Sequence, residues 1–419
     1  MNESGRELAE RIYRAALAGA DPSASIRGAL ESAPARGPRS FMIGLGKAAA
    51  SMSAAAREVL DKGAARRRNR PELIIDEESG DHPLPGPRSE KASNELEAFL
   101  SQIKPGDSVL VLLSGGTSSL IASPVNGIPP EDLVKLFQLL LASGLDIHQM
   151  NLIRKRFCRW GAGRLAERIA GASVQVLAMS DVSGDRLESI GSGPCVPDPS
   201  TAEEVVALLQ KTRQWARIPP VFKAYLDDVQ GGRRPETPKP GNPAFDLVTH
   251  QIVAGNQTAL EAAIQEARKH ELRAEIGPEF AGPAVEAGRR LVQAAARLTP
   301  SSCLLFGGET TVVLPGDSGR GGRCQEVALS AALELERRGQ RGITLLVAGT
   351  DGRDGPTDVA GAVVDPETVK RIRLAGLDPI RHLTAHDAYP ALDAAGCLVR
   401  TGPTGTNVRD VVVAIRMLA

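Results

Sequence analysis

Short apolar runs alternate with longer amphipathic stretches along nearly the whole chain. Each apolar run has the length of a buried strand, and the stretches between them carry apolar residues at helical spacing. This alternation is typical of βαβ units on a parallel sheet. Helices are predicted between the strands, among them residues 47–62, 88–103, 130–142 and 154–170. The predicted strands are residues 40–44, 72–76, 108–113, 173–179, 245–254, 302–306, 311–314, 344–348 and 411–415.

One segment interrupts the alternation. Residues 231–241, GGRRPETPKPG, are rich in glycine, proline and charge and have no apolar face. We therefore predict a boundary there, with domains at residues 1–235 and 242–419. A chain of 419 residues is long enough for two domains. The predicted fold class is α/β: first a Rossmann-like domain with a mainly parallel sheet and helices on both faces, then a smaller α/β domain with a mixed sheet.

Composition excludes several classes of function. Lys plus Arg (50) equals Asp plus Glu (50), and aromatic residues make up 3%. Such a chain lacks both the charge and the stacking surfaces for nucleic acid. The charged N-terminus has no apolar core of a signal peptide, and no apolar run is long enough to span a membrane. Five scattered cysteines favour neither a disulfide framework nor a zinc site, so we expect a cytoplasmic protein.

Candidate chemistry lies in the loops after the apolar runs, where open α/β sheets bind ligands. The first loop is GLGKAA, residues 44–49. It matches the glycine pattern of a dinucleotide site, but Lys47 places a cation beside a helix N-terminus, which suits a phosphate or a carboxylate. It also lacks the Ser or Thr that holds Mg²⁺ in a Walker A loop. We interpret Gly44, Gly46 and Lys47 as an anion-binding turn, with a dinucleotide site and a structural turn left open.

A second loop, SGGTSS, follows the strand predicted at residues 108–113. Its glycines let backbone N–H groups approach an anion, and its hydroxyls add donors. Helix capping by a hydroxyl is the structural alternative. We favour an anion site that binds the cofactor through Ser114, Gly115, Gly116, Thr117 and Ser118.

Acidic pairs follow two other apolar runs. Asp181 and Asp185 lie four residues apart in SDVSGD, a spacing at which two carboxylates can hold Mg²⁺ directly or through water. Asp351 and Asp354 in TDGRDG resemble half of a calcium loop that lacks its closing glutamate. We predict metal ligands at Asp181, Asp185 and Asp354. For Asp351 we predict a general base, with a metal ligand as the alternative.

The second half of the chain carries further candidate anion sites. Gly308 and Glu309 lie in GGETT between two predicted strands, and Arg320 and Arg323 lie in GRGGR before a predicted helix. Guanidinium groups grip phosphate oxygens in a bidentate way, although a flexible basic hairpin tip is the alternative. We assign Gly308, Glu309 and Arg320 to cofactor binding.

The last candidate is the turn TGPTGTN before the final strand. It is rich in hydroxyl groups, which can donate to a ligand. We assign Thr406 and Asn407 to cofactor binding, with a plain surface turn as a nearly equal alternative.

These motifs, in this order, resemble the bacterial glycerate 2-kinase family, whose C-terminal domain is of the MOFRL type. The resemblance implies ATP- and Mg²⁺-dependent phosphorylation of D-glycerate at its 2-hydroxyl, and catalytic roles for Lys47 and Arg323. Two positions depart from the family pattern, Cys324 and His386, where asparagine is usual; they leave the preferred hydroxy acid open. The matching stretches are GLGKAA, GDHPLPG, LLSGGTSSL, MSDVSGDRLESIGSGP, FGGETTV, GRGGRCQE, AGTDGRDGPTDVAGA and TGPTGTNVRD.

Two other functions stay open at this stage. Some relatives carry the name hydroxypyruvate reductase, and a non-catalytic sugar-phosphate-binding protein would also need anion loops. Phosphoryl transfer requires several anion loops, cations and metal-binding acids, whereas a hydride transferase requires one dinucleotide loop. We therefore predict a kinase that uses ATP, Mg²⁺ and D-glycerate and binds neither nucleic acid nor membrane. A homodimer is kept open as its assembly.

Overall fold

The computed structural model describes residues 4–32, 38–61, 70–82, 84–316 and 318–417. The chain divides into two compact units. We call Pro22–Val253 the parallel-sheet unit, and Met1–Asp21 together with Ala254–Ala419 the mixed-sheet unit.

This division differs from the boundary predicted at residues 231–241. That segment is fastened to the parallel-sheet unit, where Thr237 Oγ1 donates to Asp198 Oδ2 at 2.9 Å. The strand predicted at residues 245–254 belongs to the sheet of the same unit, and the N-terminal helix belongs to the other unit. Residues 231–241 form a loop. Their charged and hydroxyl side chains contact the parallel-sheet unit, which precedes them in the chain, so the loop does not separate the two units.

The parallel-sheet unit is built on a five-stranded sheet in the order β2-β1-β3-β4-β5. β1 pairs in parallel with β2 and β3, and β3 pairs in parallel with β4. All six residues of β3 are buried and nearly all are aliphatic, as expected for a strand covered on both faces. The carboxyl ends of β1, β3 and β4 therefore meet at one edge, which brings the loops after them together. The strands are β1 (Ser40–Leu45), β2 (Glu72–Ile75), β3 (Ser108–Leu113), β4 (Ser173–Met179) and β5 (Val248–Ala254).

Some helices of this unit pack on the sheet, and others pack together in a second hydrophobic cluster; one predicted helix differs from the structure. The helix predicted at residues 154–170 is two helices, because Cys158 is extended and bridges to Pro124, and Gly163 has a φ of +83°. The helix predicted at residues 47–62 ends earlier, and Lys62 lies outside the described residues. After α1 (Gly5–Gly19) of the other unit come α2 (Ser23–Ser32), α3 (Ala49–Leu60), α4 (Pro87–Leu100), α5 (Thr117–Leu120), α6 (Pro130–Leu141), α7 (Ile147–Phe157), α8 (Arg164–Arg168), α9 (Ala202–Lys211) and α10 (Pro220–Gln230).

The mixed-sheet unit has a seven-stranded sheet in the order β11-β10-β9-β12-β8-β6, with β7 also beside β8. β8 is parallel to β6 and β7, whereas the pairs from β8 through β12, β9 and β10 to β11 are antiparallel. A parallel first sheet and a mixed second sheet confirm the predicted fold class. The strands are β6 (Arg273–Ile276), β7 (Phe280–Pro283), β8 (Ser302–Thr311), β9 (Ile343–Gly349), β10 (Gly361–Val364), β11 (Leu398–Val399) and β12 (Asp410–Arg416).

The core of the mixed-sheet unit lies between this sheet and its helices. Val327 of α13 (Arg323–Arg337) packs there with Leu345 and Val412 of the sheet. Within the described ranges, no helix is both long and apolar enough to cross a membrane. The remaining helices are α11 (Asn256–Lys269), α12 (Ala284–Ala295), α13 (Arg323–Arg337), α14 (Thr368–Leu374), α15 (Pro379–Thr384) and α16 (Ala388–Ala394).

The GGETT motif differs from its predicted form as a turn between two strands. β8 runs without interruption from Ser302 to Thr311. Gly308 lies within it at a φ of +152°, and a Cβ there would be 2.0 Å from the carbonyl oxygen of Phe280 in β7. The glycine is therefore required for the close approach of two neighbouring strands.

Candidate active site

The turn after β1, which we call the Lys47 turn (residues 44–48), is fastened to the SGGTSS loop after β3 (residues 114–119). Lys47 N donates to Gly115 O at 2.9 Å, and Ala48 N donates to Ser114 Oγ at 3.0 Å. Gly46 has a φ of +111°, and a Cβ there would lie 2.4 Å from both Ser114 O and Ser114 Oγ. Only glycine fits this contact. Two motifs 70 positions apart on the sequence thus form one structure, from which the Lys47 side chain emerges.

Gly44, the first residue of that turn, has a packing role. It lies in β1, and a Cβ there would be 2.7 Å from Ser53 Oγ of α3. The glycine therefore lets the helix pack closely on the strand, which is also how a glycine of the dinucleotide pattern acts.

Hydroxyl groups hold the shape of the SGGTSS loop. Thr117 Oγ1 donates to Ser114 O at 2.8 Å, and Ser118 Oγ lies 2.6 Å from Ser192 Oγ. Neither hydroxyl caps α5, whose N-cap residue is Gly116. The capping alternative is therefore not what the structure shows, and the hydroxyls connect the loop to itself and to a neighbouring turn.

The side chain of Lys47 lies over Gly116. A Cβ at Gly116 would be 3.0 Å from Lys47 Cγ and 3.6 Å from His82 Cδ2. Lys47 Nζ is 3.6 Å from Oε1 of Glu77, whose side chain is 58% exposed, and such a surface pair contributes little in water. The charge of Lys47 is therefore only weakly compensated.

His82, to which the sequence assigned no chemical role, shares this region with two cations. Although the residue is exposed, partial desolvation of the ring and the positive charges of Lys47 and Arg154 lower its pKa to about 4. His82 is therefore neutral at physiological pH.

Arg154 was not found by sequence reasoning, because its sequence signal is misleading. Three consecutive basic residues, 154–156, usually lie on a solvated face, and here all three are buried.

Asp181 lies against the SGGTSS loop. Its carboxylate occupies the space beside Gly115, where a Cβ would be 1.8 Å from Asp181 Oδ2. Asp185 ends the short 3₁₀ turn Ser183–Asp185 with a φ of +50°. Across the described part of the chain, no group of three His, Cys, Asp or Glu side chains is arranged to hold a metal. Mg²⁺ commonly takes one or two carboxylates and completes its shell with phosphates and water, so Asp181 beside this loop fits that ion.

In the mixed-sheet unit, Arg323 begins α13 and is held by Asp410. Arg323 Nε and Nη2 donate to the two carboxylate oxygens of Asp410 at 2.7 and 2.8 Å, and Asp410 is completely buried. Arg323 Nη1 lies 3.3 Å from Glu309 Oε1. Desolvation would lower the pKa of Arg323, but the attraction of Asp410 outweighs it and raises that pKa far above its usual value. Sequence reasoning missed Asp410, whose only signal is an acid at the start of the last apolar run.

Asp351 and Asp410 approach one another at the end of β9. A Cβ at Gly349 would be 3.3 Å from Asp351 Oδ1 and 3.4 Å from Asp410 Oδ1. Asp351 Oδ1 also accepts the amide of Arg353 at 3.0 Å. The structure therefore brings Asp351 into the same group of charges as Arg323.

The turn TGPTGTN is anchored within the mixed-sheet unit. Thr406 Oγ1 donates to Ala20 O at 2.9 Å, and the amide of Arg409 donates to Asn407 Oδ1 at 3.5 Å. These contacts give both residues a role in holding the turn, and their predicted contact with a cofactor stays a prediction.

Arg320 is engaged differently from Arg323. Its guanidinium carbon lies 3.7 Å from the centre of the Tyr389 ring, and Nη2 donates to Asp358 Oδ1 at 2.9 Å. The two arginines of GRGGR therefore have separate carboxylate partners, which does not favour the single bidentate anion site predicted from their spacing.

Asp354 has a structural role that replaces its predicted one as a metal ligand. It is completely buried, and its carboxylate accepts the amides of Cys324 and Gln325 at 3.0 and 2.8 Å, which caps the first turn of α13. Gln325 Nε2 donates to it at 2.9 Å. A Cβ at Gly322 would lie 2.4 Å from Asp354 Oδ1, so a glycine of GRGGR admits the cap. Burial raises the pKa of Asp354 to about 6, and the amides oppose that shift.

The Asp354→Ala substitution should lower the free energy of unfolding by about 2–4 kcal/mol, because it leaves buried amide donors without an acceptor. Denaturant unfolding measures this change, with Asp358→Ala at an exposed acid as the control. The Mg²⁺ concentration for half-maximal activity should not change. A stable variant that needs much more Mg²⁺ would restore the metal-ligand assignment.

Cys324 and His386, the two residues that depart from the family pattern, both contact other parts of the protein. Cys324 is buried, and desolvation raises its pKa well above the usual value, so it carries no thiolate. His386 Nδ1 lies 2.9 Å from Oε2 of the buried Glu326. All five cysteines are buried, and each is a free thiol in the structure.

Two family models match this chain. Residues 8–227 match a family described as "Domain of unknown function (DUF4147)", and residues 302–410 match the MOFRL family. The first model therefore covers more than half of the chain and contains both the Lys47 turn and the SGGTSS loop.

Relatives match over nearly the whole length. The chain is 35% identical to the glycerate 2-kinase of Pyrococcus horikoshii, over 98% of this chain and 97% of the relative. It is 38% identical to an Agrobacterium vitis protein named provisionally as a hydroxypyruvate reductase, over 97% and 94%. A crystal structure of glycerate kinase from Thermotoga maritima superposes with a TM-score of 0.83 at 34% identity, covering 98% of this chain and 99% of that one. The chain therefore belongs to the glycerate 2-kinase family.

Proposed function

We propose that this chain is a kinase that uses ATP and Mg²⁺ to phosphorylate D-glycerate at its 2-hydroxyl, giving 2-phosphoglycerate and ADP. The observation that carries the proposal is the similarity to a glycerate 2-kinase over 98% of this chain. The side chains support it, because phosphoryl transfer depends on positioning and on neutralising charge, and the chain offers fixed cations beside glycine-rich loops.

The Lys47 turn and the SGGTSS loop are assigned to phosphate. Lys47 supplies a cation whose ion pair with Glu77 is weak, and Gly116 leaves room for the aliphatic part of its side chain. The hydroxyls of the loop preserve its shape. Lys47 then stabilises charge on the phosphoryl group as it transfers.

Arg323 and Asp351 are assigned to the chemical step. Arg323 is a permanently charged group that Asp410 holds in one position. It therefore stabilises charge in the transition state without first losing conformational freedom. Asp351 accepts the proton of the attacking hydroxyl. Contacts of Gly308, Glu309, Arg320, Thr406 and Asn407 with the cofactor are further parts of the proposal.

Asp181 would hold Mg²⁺, with Asp185 as a second carboxylate. When bound, Mg²⁺ neutralises negative charge on the phosphates of ATP. Asp181 fits this role because its carboxylate touches the loop assigned to those phosphates.

A coupled assay of ADP release tests the kinase. Release should require ATP, Mg²⁺ and D-glycerate together, and phosphorus NMR should locate the phosphate on O2. The relative named as a hydroxypyruvate reductase favours a second candidate function, so NADH and NADPH oxidation with hydroxypyruvate is measured on the same preparation. Oxidation without ADP release would replace the kinase with the reductase.

The proposed partners are then ATP and D-glycerate, in the cytoplasm. We also propose a homodimer as the assembly, for which sedimentation equilibrium should give twice the chain mass of 44.1 kDa.

A further inference from the structure

Arg154 is a buried cation in the parallel-sheet unit. It lies on α7 and is 7% exposed. Its guanidinium carbon lies 4.6 Å from the centre of the Phe137 ring, and Nη2 lies 3.9 Å from the sulfur of Met150. Within the described residues, its Nε has no hydrogen-bond partner. Among the residues that the structure describes, the edge of the guanidinium formed by Nε and Nη2 therefore has only the thioether of Met150 as a polar contact.

The two residues that follow Arg154 show what the fold supplies when a buried cation is structural. Lys155 and Arg156 are equally buried, and each has a carboxylate. Lys155 Nζ lies 2.8 Å from Asp198 Oδ1, and Arg156 pairs with Glu236. Desolvation lowers the pKa of Arg154; Cys158 opposes that shift in part, and no carboxylate of the described ranges does. A buried charge without a partner is strongly unfavourable, so this position indicates an anion that binds from outside the chain.

Arg154 lies near the region assigned to the reaction, because its helix α7 packs against the 3₁₀ turn Ile190–Ser192, and Ser192 Oγ of that turn lies 2.6 Å from Ser118 Oγ of the SGGTSS loop. The charge of Arg154 also acts on His82, whose ring lies beside Gly116 together with the side chain of Lys47. His82 is neutral and compensates neither cation, and Lys47 has only its exposed pair with Glu77. An anionic ligand of this region therefore encounters Lys47 and Arg154 as separate positive charges.

We propose that Arg154 binds the carboxylate of the hydroxy-acid substrate. The inference rests on the proposed function, because it takes the Lys47 turn and the SGGTSS loop as the phosphate site. A planar carboxylate matches the Nε–Nη2 edge of a guanidinium with two parallel hydrogen bonds. The apolar surroundings of Phe137 and Met150 suit a small ligand with a single charge better than a doubly charged phosphate. Arg154 thus selects small 2-hydroxy carboxylates and fixes the 2-hydroxyl next to the anchored group.

The Arg154→Met substitution tests this assignment in the full-length enzyme. KM for D-glycerate should rise about 100-fold, the effect of breaking a buried, hydrogen-bonded charge pair, whereas KM for ATP should stay within about threefold. Wild-type enzyme should prefer D-glycerate strongly over its uncharged amide, and the variant should lose that preference. Arg154→Lys keeps the positive charge but lacks the two parallel N–H donors of a guanidinium. Its KM for D-glycerate should therefore lie between those of wild type and Arg154→Met. The thermal midpoint of the ligand-free variant should be unchanged or higher, because an unpaired buried charge is removed.

Arg159→Met is the matched control. Arg159 also lies over an aromatic ring, 4.8 Å from the centre of Trp160, but it is paired with Glu97 at 2.8 Å. Its substitution should leave both KM values unchanged.

Each other outcome contradicts the assignment in a different way. A rise in KM for ATP with an unchanged KM for D-glycerate would assign Arg154 to a phosphate of ATP. A lower thermal midpoint with both KM values unchanged would make Arg154 structural. If wild-type enzyme releases no ADP, the proposed function fails on its own, and calorimetric titration with D-glycerate still tests Arg154. Equal affinity of wild type and Arg154→Met in that titration would reject the carboxylate site.

Discussion

Replacing Lys47 with methionine should lower kcat by about 100-fold or more at saturating ATP and D-glycerate, with little change in stability. Methionine preserves the aliphatic contact with Gly116 but removes the charge. The ion pair lost with Glu77 is exposed and contributes little to folding. Because the charge stabilises the transferring phosphoryl group more than the bound substrate, the loss appears mainly in kcat.

Lys135→Met is the control for Lys47. Lys135 is an exposed lysine of the same unit that pairs with Asp132 at 2.7 Å, so its loss should leave kcat unchanged. Lys47→Arg keeps the charge with a different shape and should recover part of the rate. A folded Lys47→Met enzyme with wild-type kcat would mean that the turn is structural.

The Arg323→Met substitution should both inactivate and destabilise the enzyme. It leaves Asp410 completely buried without its cation, which costs about 3–5 kcal/mol. From the sequence alone we expect Arg323→Ala to stay folded and only lose activity; the buried pair with Asp410 leads us to expect a loss of stability as well. Chemical denaturation measures the change in the free energy of unfolding. An unchanged midpoint would show that the pair is not stabilising.

A double variant separates the two roles of Arg323. Arg323→Met combined with Asp410→Asn removes the uncompensated charge and should recover part of the lost stability. Its kcat should still be lower by about 100-fold or more if Arg323 stabilises the transition state. Recovery of kcat together with stability would make Arg323 a structural residue.

The strands of the parallel sheet could be predicted from the sequence. β3 and β4 begin and end where predicted, because an uninterrupted run of aliphatic residues has few alternatives to a buried strand. The loops after β1, β3 and β4 follow from this, since parallel strands place their carboxyl ends at one edge. The approach of Lys47, the SGGTSS loop and Asp181 was therefore implied by local patterns.

Other elements could not be predicted from the sequence, because contacts with distant segments determine them. In β8, Gly308 is predicted from the sequence to lie between two strands, because the need for a glycine there comes from β7, a strand that the sequence did not reveal. The break after Phe157 depends on a bridge from Cys158 to Pro124. In both cases a contact with another segment outweighed the local pattern.

The sequence by itself determined the fold class, the family and the types of side chain that carry the chemistry. Only the tertiary structure decided which charges neutralise each other. Arg323 and Asp410 are 87 positions apart and form one buried pair, whereas Asp354 serves as a helix cap and Arg154 has no carboxylate partner in the part of the chain that the structure describes. The reason is that local periodicity reports which residues are apolar, but the charge state and partners of a buried group depend on desolvation and on segments distant in the chain.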